Sequence, residues 1–181
     1  RPLTELSLWS LGVTVAVADA LEQELSLGCK IKWPNDLYLQ GKKVGGVLLE
    51  TLNLPGNDFA VVIGVGLNVA SHPDPVLLHR PVTCISKHTD RSVDLPMVAA
   101  LVSAALVDMC RLSDAALRAR LISSWPSRDI LLNQSVAVPA LGEGLGIARG
   151  LSHDGGLQVE FAGKIRTVYA GEVSLGHVDT Q

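Results

Sequence analysis

Three short stretches carry residues whose types and spacing could do chemistry: Lys32-Trp33-Pro34-Asn35-Asp36, then Lys43-Val44-Gly45-Gly46-Val47-Leu48-Leu49-Glu50, then Gly64-Val65-Gly66-Leu67-Asn68. Strand alternation puts Cys29, Ile31 and Trp33 on one face and Lys30 and Lys32 on the other. Pro34 locks its own φ and restricts Trp33, and Asn35-Asp36 favours a turn closed by side chains. A lysine fixed in this way can present its ammonium to an anionic ligand as a point charge. The plainer alternative is a solvated strand lysine. Glycine inside a strand costs about 0.5–1 kcal/mol relative to alanine, so Gly45-Gly46 marks either a β-bulge or a backbone left bare for a ligand. Gly64 and Gly66 lack the spacing of a dinucleotide fingerprint and either thin a packed sheet or admit a ligand. Asn68 brings a donor and an acceptor to the mouth of an apolar strand, a pairing suited to phosphate or metal–phosphate contact.

The elements that must position these residues follow from periodicity and punctuation. Pro2 and Thr4 open a helix running to about Leu25. It is apolar on most sides, so something must cover it on most sides. Strands are expected at 29–33, at 37–40 and 43–51 around a Gly41-Lys42 turn, and at 59–69. The last is a continuous Val/Ile run that reads as a central strand covered on both faces. Residues 70–91, with Pro73, Pro75 and Pro81, read as loop with short turns. Asp94 caps a helix to about Leu112, and Ser113 caps another to about Trp125, where Pro126 ends it. From 133 onward, strands at 136–139, 146–151, 157–161 and 165–169 alternate with glycine-containing turns and suggest a small barrel. The fold class is α+β, a mixed sheet packed by helices followed by this barrel, with a boundary near residue 132.

Bulk properties remove several functions. The net charge is −3 with lysines and arginines scattered, which argues against a nucleic-acid surface. Cys29, Cys84 and Cys110 are widely spaced and read as buried thiols in a reducing compartment. His72, His79, His88, His153 and His177 lack metal-ligand spacing, so no metal is expected through histidine or cysteine. Asp19 and Glu22 interrupt the best apolar run, 6–25, so no membrane span is expected. A cytoplasmic protein is expected, and a first residue of Arg1 reads as a cut rather than a native start.

The order Lys-Trp-Pro-Asn-Asp-Leu, Lys-Val-Gly-Gly-Val-Leu-Leu-Glu, Ile-Gly-Val-Gly-Leu-Asn-Val closely resembles the central part of biotin–protein ligases. The resemblance continues through Trp125, Asn133-Gln134-Ser135-Val136, Gly146-Ile147-Ala148-Arg149-Gly150 and Tyr169-Ala170-Gly171-Glu172-Val173-Ser174-Leu175. It implies a sheet of the class II aminoacyl-tRNA synthetase/biotin ligase type, incomplete, over residues 1–132, and an SH3-like barrel over 133–181. It also implies ATP-dependent formation of biotinyl-5′-AMP and transfer of biotin to a lysine of a carboxylase's biotin acceptor domain. By that resemblance Lys32 holds the biotin carboxylate and stabilises charge at the α-phosphate. Gly45 and Gly46 floor the biotin pocket, and Gly64 and Gly66 let the ligand lie on the strand. Asn68 meets the nucleotide phosphates or their Mg²⁺. Arg149 reaches back to the ATP phosphates, its alternative being an exposed barrel arginine.

The family's Gly-Arg-Gly-Arg loop, and its Ser/Thr and Gln contacts to the biotin rings, have no counterpart in the 31 residues before Lys32, where Arg1 is the sole arginine. The chain is therefore expected to be the C-terminal portion of a ligase, completed by an N-terminal segment or a second chain, and impaired or inactive alone. A homodimer is compatible with this reading. The competing functions are a non-catalytic fragment for dimerisation or acceptor docking, and a lipoate-type ligase, from which Trp33-Pro34 and Gly45-Gly46 tilt the reading away. A DNA-binding role has no support.

Overall fold

The apolar first helix finds its cover within the chain. The computed structural model describes residues 3–176 apart from 57, 79 and 143; Arg1, Pro2, His79 and His177, invoked above, lie outside the described residues. Helix α1 (Leu3–Leu25) buries Leu8, Leu11, Val13, Val15, Ala16, Val17, Ala18, Ala20 and Leu21. It packs against the sheet, α3 (Leu95–Cys110) and α4 (Asp114–Arg128). The glycine turn at Gly155 closes over its start: a Cβ there would stand 2.9 Å from Leu11 Cδ1. The cover that α1 needs on most sides thus comes in part from elements late in the chain. The sequence showed that the helix needs partners on several sides, but not that late elements return to supply them.

Charge ties α4 to α1. Arg120 donates to Asp19 Oδ2 (2.7 Å) and Arg128 to Asp19 Oδ1 (2.7 Å), to Glu22 and to the Cys29 carbonyl (3.0 Å). Both helix starts are capped as the sequence suggests: Asp94 Oδ1 accepts from Met97 N (2.8 Å) and Ser113 Oγ from Ala116 N (3.3 Å). Pro126, however, lies inside α4, which continues to Arg128. Proline removes only its own N–H, and Asp129 N still reaches the Trp125 carbonyl (2.9 Å).

The main sheet is an antiparallel meander in the order β1 (Lys30–Lys32), β2 (Asp36–Leu39), β3 (Lys42–Asn53), β4 (Phe59–Leu67). Among the described residues parallel pairing is confined to single bridges, Ile31 with Asp129 and Lys43 with Val82. The β2–β3 turn is Gln40-Gly41, both at positive φ, one residue earlier than the expected Gly41-Lys42. Strand β4 is an edge strand, not a central one, with Val62, Gly64 and Gly66 exposed on one face. A run of valines and isoleucines cannot by itself distinguish a strand covered twice from one covered once.

A short helix, α2 (Pro75–Leu78), and a 3₁₀ turn at Ile85–Lys87 punctuate the loop before α3. After α4 a five-stranded sheet forms from β5 (Ser135–Ala137), β6 (Leu145–Leu151), β7 (Leu157–Phe161), β8 (Lys164–Val168) and β9 (Ser174–Leu175), in the order β8-β7-β6-β5-β9. The two-residue β9 was not visible in the sequence pattern. Val136, Ala148, Leu157 and Val159 join the same apolar cluster as α1 and β1. Cys29 and Cys84 are buried, but Cys110, at the end of α3, is exposed, against expectation. Among the described residues no helix is long and apolar enough to cross a membrane.

Candidate functional site

Register aligns residues that are far apart in sequence. Lys32 stands opposite Asp36, Asp36 opposite Gly46, and Gly46 opposite Gly66. Directly paired residues share a face, so one row of four crosses the whole sheet. With strands about 4.8 Å apart, the row spans roughly 14 Å. The two glycines leave its far end bare, and Gly64, opposite Leu48, extends the bare surface by one step along β4. Gly46, Gly64 and Gly66, with Asn35, Asp36, Lys43 and Leu48, line an open cleft of about 510 Å³.

The glycines are not equivalent. A Cβ on Gly66 would meet nothing nearer than Gly46 O at 3.9 Å, and one on Gly64 nothing nearer than Leu48 O at 3.6 Å. Those positions face open space. A Cβ on Gly45 would lie 2.2 Å from Gly66 O and 2.7 Å from Leu67 Cδ2. Gly45 is buried on the opposite side and admits the close approach of β4; it does not line the cleft.

The Trp33-Pro34-Asn35 turn is held from three directions. Trp33 Nε1 donates to the Gly155 carbonyl (3.2 Å), Asn35 Nδ2 donates to the Val47 carbonyl (2.6 Å), and Val47 N donates to the Asn35 carbonyl (3.0 Å). The Trp33–Pro34 peptide is cis. Lys32 is half-buried, and no described residue forms a hydrogen bond or ion pair with its ammonium. Lys30, on the same face, donates to the Ser127 carbonyl (2.8 Å).

Asp36, read from the sequence only as a turn residue, and Lys43, given no role there, both belong to this face. Lys43 Nζ forms an ion pair with Asp36 Oδ1 beside Gly46. A bulge makes this possible: Leu37 pairs with Gly45 but Tyr38 with Lys43, leaving Val44 as the extra residue. The bulge reverses the alternation, so Lys43 shares a face with Gly46, an odd three residues away. Burial, and then the Asp36 charge, push the nearby Tyr38 hydroxyl up from its ordinary pKa.

The remaining candidates lie apart from the row. Asn68 directly follows β4. Its Nδ2 donates to the Thr83 carbonyl (2.9 Å), and it borders a separate recess with Val69, His72, Pro73 and Leu95. Arg149 on β6 donates to Glu160 Oε2 (2.8 Å) and Asn133 Oδ1 (2.9 Å). It lines a groove of about 400 Å³ with Trp125, Pro126, Asp129 and Leu132. That groove adjoins the edge of β1, because Asp129 bridges Ile31. Burial raises the Asp129 carboxyl pKa, opposed by hydrogen bonds from Leu131 N and Trp125 Nε1.

A helix-backed meander with a glycine-cleared face, followed by a small five-stranded β domain, defines an α+β fold of the class seen in biotin-handling ligases. Residues 1–68 match the biotin/lipoate A/B protein ligase family, and residues 131–176 match the biotin protein ligase C-terminal domain. The bifunctional ligase/repressor BirA of Escherichia coli K12 is 30% identical over 168 residues, covering 92% of this chain and 52% of that protein. The biotin–[acetyl-CoA-carboxylase] ligase of Paracoccus denitrificans is 29% identical over 174 residues, 91% of this chain and 72% of that one. Among solved structures, Aquifex aeolicus biotin protein ligase superposes with a TM-score of 0.81 at 26% identity, over 96% of this chain and 77% of that chain. Its complex with biotin and ATP superposes with a TM-score of 0.76 at 28% identity, over 94% and 72%. The chain belongs to the biotin protein ligase family. It spans about half the length of the E. coli relative.

Proposed function

We propose that this chain supplies the part of a biotin protein ligase that carries the biotin carboxylate to ATP. The observation that supports it most directly is the row Lys32–Asp36–Gly46–Gly66, in which a half-buried ammonium with no partner among the described residues stands in line with a bare backbone floor, one strand beyond Asp36. Biotin lies along Gly46, Gly64 and Gly66, with its carboxylate at Lys32. A carboxylate oxygen attacks the α-phosphorus of ATP, pyrophosphate leaves, and biotinyl-5′-AMP results. A lysine amine of a carboxylase's acceptor domain then attacks the acyl carbon and AMP leaves. Lys32 orients the carboxylate and offsets the charge that gathers between it and the phosphate.

Asn68 fits as a single oxygen donor to a Mg²⁺ carried in with ATP. Its amide nitrogen is engaged with the Thr83 carbonyl, which leaves Oδ1 as the atom that could meet the ion, and Mg²⁺ takes most of its ligands from phosphate and water. The ion would offset phosphate charge when bound. Arg149 serves the phosphates from the adjoining groove once its contacts to Glu160 and Asn133 yield. In this reading residues 1–132 belong to the catalytic unit of a cytoplasmic enzyme, and 133–181 form an SH3-like module. The test is biotin-dependent exchange of pyrophosphate into ATP by the complete protein. Lys32→Ala should slow it by more than about tenfold, or 1.4 kcal/mol of transition-state stabilisation. A near-normal rate would reduce Lys32 to a solvated strand residue.

A further inference from the structure

Asp36 stands in the wrong place for an anion site. It lies directly across from Lys32 on the same face, and directly opposed strand residues hold their Cβ atoms about 4.5–5.5 Å apart. Left alone, its carboxylate would take the Lys32 ammonium as its counter-ion, and a ligand carboxylate would have to displace it. Asp36 is instead paired with Lys43. Both side chains are largely withdrawn from water, 18% exposed for Lys43 and 22% for Asp36, so their attraction is less screened than that of a surface pair.

Lys43 is well placed to hold Asp36 in this way. The bulge at Val44 turns it onto the ligand face. Its backbone is fixed at both ends by the returning loop: Lys43 N donates to the Pro81 carbonyl (3.1 Å), and Thr83 N donates to the Lys43 carbonyl (2.9 Å). Lys43 thus reaches across from the next row, where it stands opposite Tyr38, and takes the Asp36 carboxylate, which leaves the Lys32 ammonium with no partner among the described residues.

We propose that Lys43 is a positioning residue that holds Asp36 away from Lys32 and so keeps the Lys32 ammonium free for the carboxylate of the acid substrate. The inference rests on the reading above, that Lys32 is the group that receives this carboxylate. It assigns Lys43 no contact with the substrate: Lys43 acts only through Asp36 and Lys32.

The test uses the complete protein, with biotin binding measured by calorimetry and kcat/KM for biotin by pyrophosphate exchange. Lys43→Met should weaken biotin binding about tenfold, the scale of one lost charge-assisted contact, and should act on KM more than on kcat. Adding Asp36→Asn to Lys43→Met should restore binding to near wild type, because the competing carboxylate is gone. In a Lys32→Ala background, Lys43→Met should cause no further loss. A further loss there, or an unrescued double variant, overturns the proposal and indicates direct contact or simple long-range attraction. If Lys43→Met does not fold, Asp36→Asn alone decides. Unchanged biotin affinity supports the clamp, because Asp36 is already sequestered, whereas tighter binding overturns it. A Lys32→Ala enzyme with normal kcat/KM would instead defeat the underlying reading, so the two failures are distinguishable.

Discussion

Gly45 on β3 and Gly66 on β4 lie on neighbouring strands but on opposite faces of the sheet, and replacing them should have opposite consequences. At Gly45 the added methyl of Gly45→Ala would stand 2.2 Å from Gly66 O and 3.1 Å from Leu67 Cα. These are backbone atoms that cannot retreat without opening the β3–β4 ladder, and the first contact is more than about 1 Å too short. Overpacking of this kind costs about 1–3 kcal/mol, and more when backbone must move. At Gly66 the nearest atom is 3.9 Å away, and exchanging a strand glycine for alanine returns about 0.5–1 kcal/mol of backbone entropy. The two variants should therefore differ in stability by about 2 kcal/mol or more. For a chain of this size that corresponds to a difference in Tm of about 5 °C or more. Urea and thermal unfolding read the stability, and calorimetric titration with biotin reads the site. Gly45→Ala should unfold early but bind biotin normally per folded molecule. Gly66→Ala should be as stable as wild type and lose about tenfold in biotin affinity, since its methyl protrudes into the cleft. A stable Gly45→Ala, or a Gly66→Ala that binds biotin normally, would refute the assignment of one glycine to packing and the other to the ligand.

Other expected outcomes concern the frame around the site. Burial pushes the Cys29 thiol up to about 12 from 9.0, so its neutral form stabilises the fold fully below pH 9. That contribution is lost as pH rises from 9 toward 12, at about 1.4 kcal/mol per pH unit. Urea unfolding between pH 8 and 10.5 should show a shallower pH dependence for Cys29→Ala than for wild type; identical slopes would contradict it. Exposed Cys110 should react first with a thiol reagent at pH 8, as peptide mass mapping would show, while Cys29 stays protected until unfolding. Arg128→Met should cost about 1.5–3 kcal/mol in urea unfolding, because Asp19 Oδ1 and the Cys29 carbonyl lose their donor while Arg120 still holds Asp19 Oδ2.

Local signals were legible in the sequence wherever the physics is local. Asp94 and Ser113 announce helix starts because a cap acts within three residues. Lys32, Gly46, Gly64 and Gly66 could be picked out as candidates, but their alignment in one row could not, because register is a relation between strands. For the same reason Gly45-Gly46 could suggest a bulge but could not place it at Val44, and so could not show that Lys43 meets Asp36. Alternation read along β3 alone puts Lys43 on the wrong face, and only the pairing with β2 shows the slip. The cover over α1 and the edge position of β4 likewise depend on where distant elements settle. Cys110 shows the limit from the other side: an apolar helix context does not say which side of the helix meets solvent.

The hydrogen bond from Trp33 to Gly155 changes what a deletion experiment on the barrel would mean. The strand that presents Lys32 ends in an indole anchored on a barrel turn, and that same turn covers Leu8 and Leu11 of the first helix. Cutting the chain before the barrel would strip cover from the apolar core and release the lysine strand together. Lost activity in such a truncation would therefore report a collapsed support, and would carry no information about what the barrel itself recognises. A barrel function has to be sought by changes on its outer surface, at residues that leave the Gly155 turn untouched.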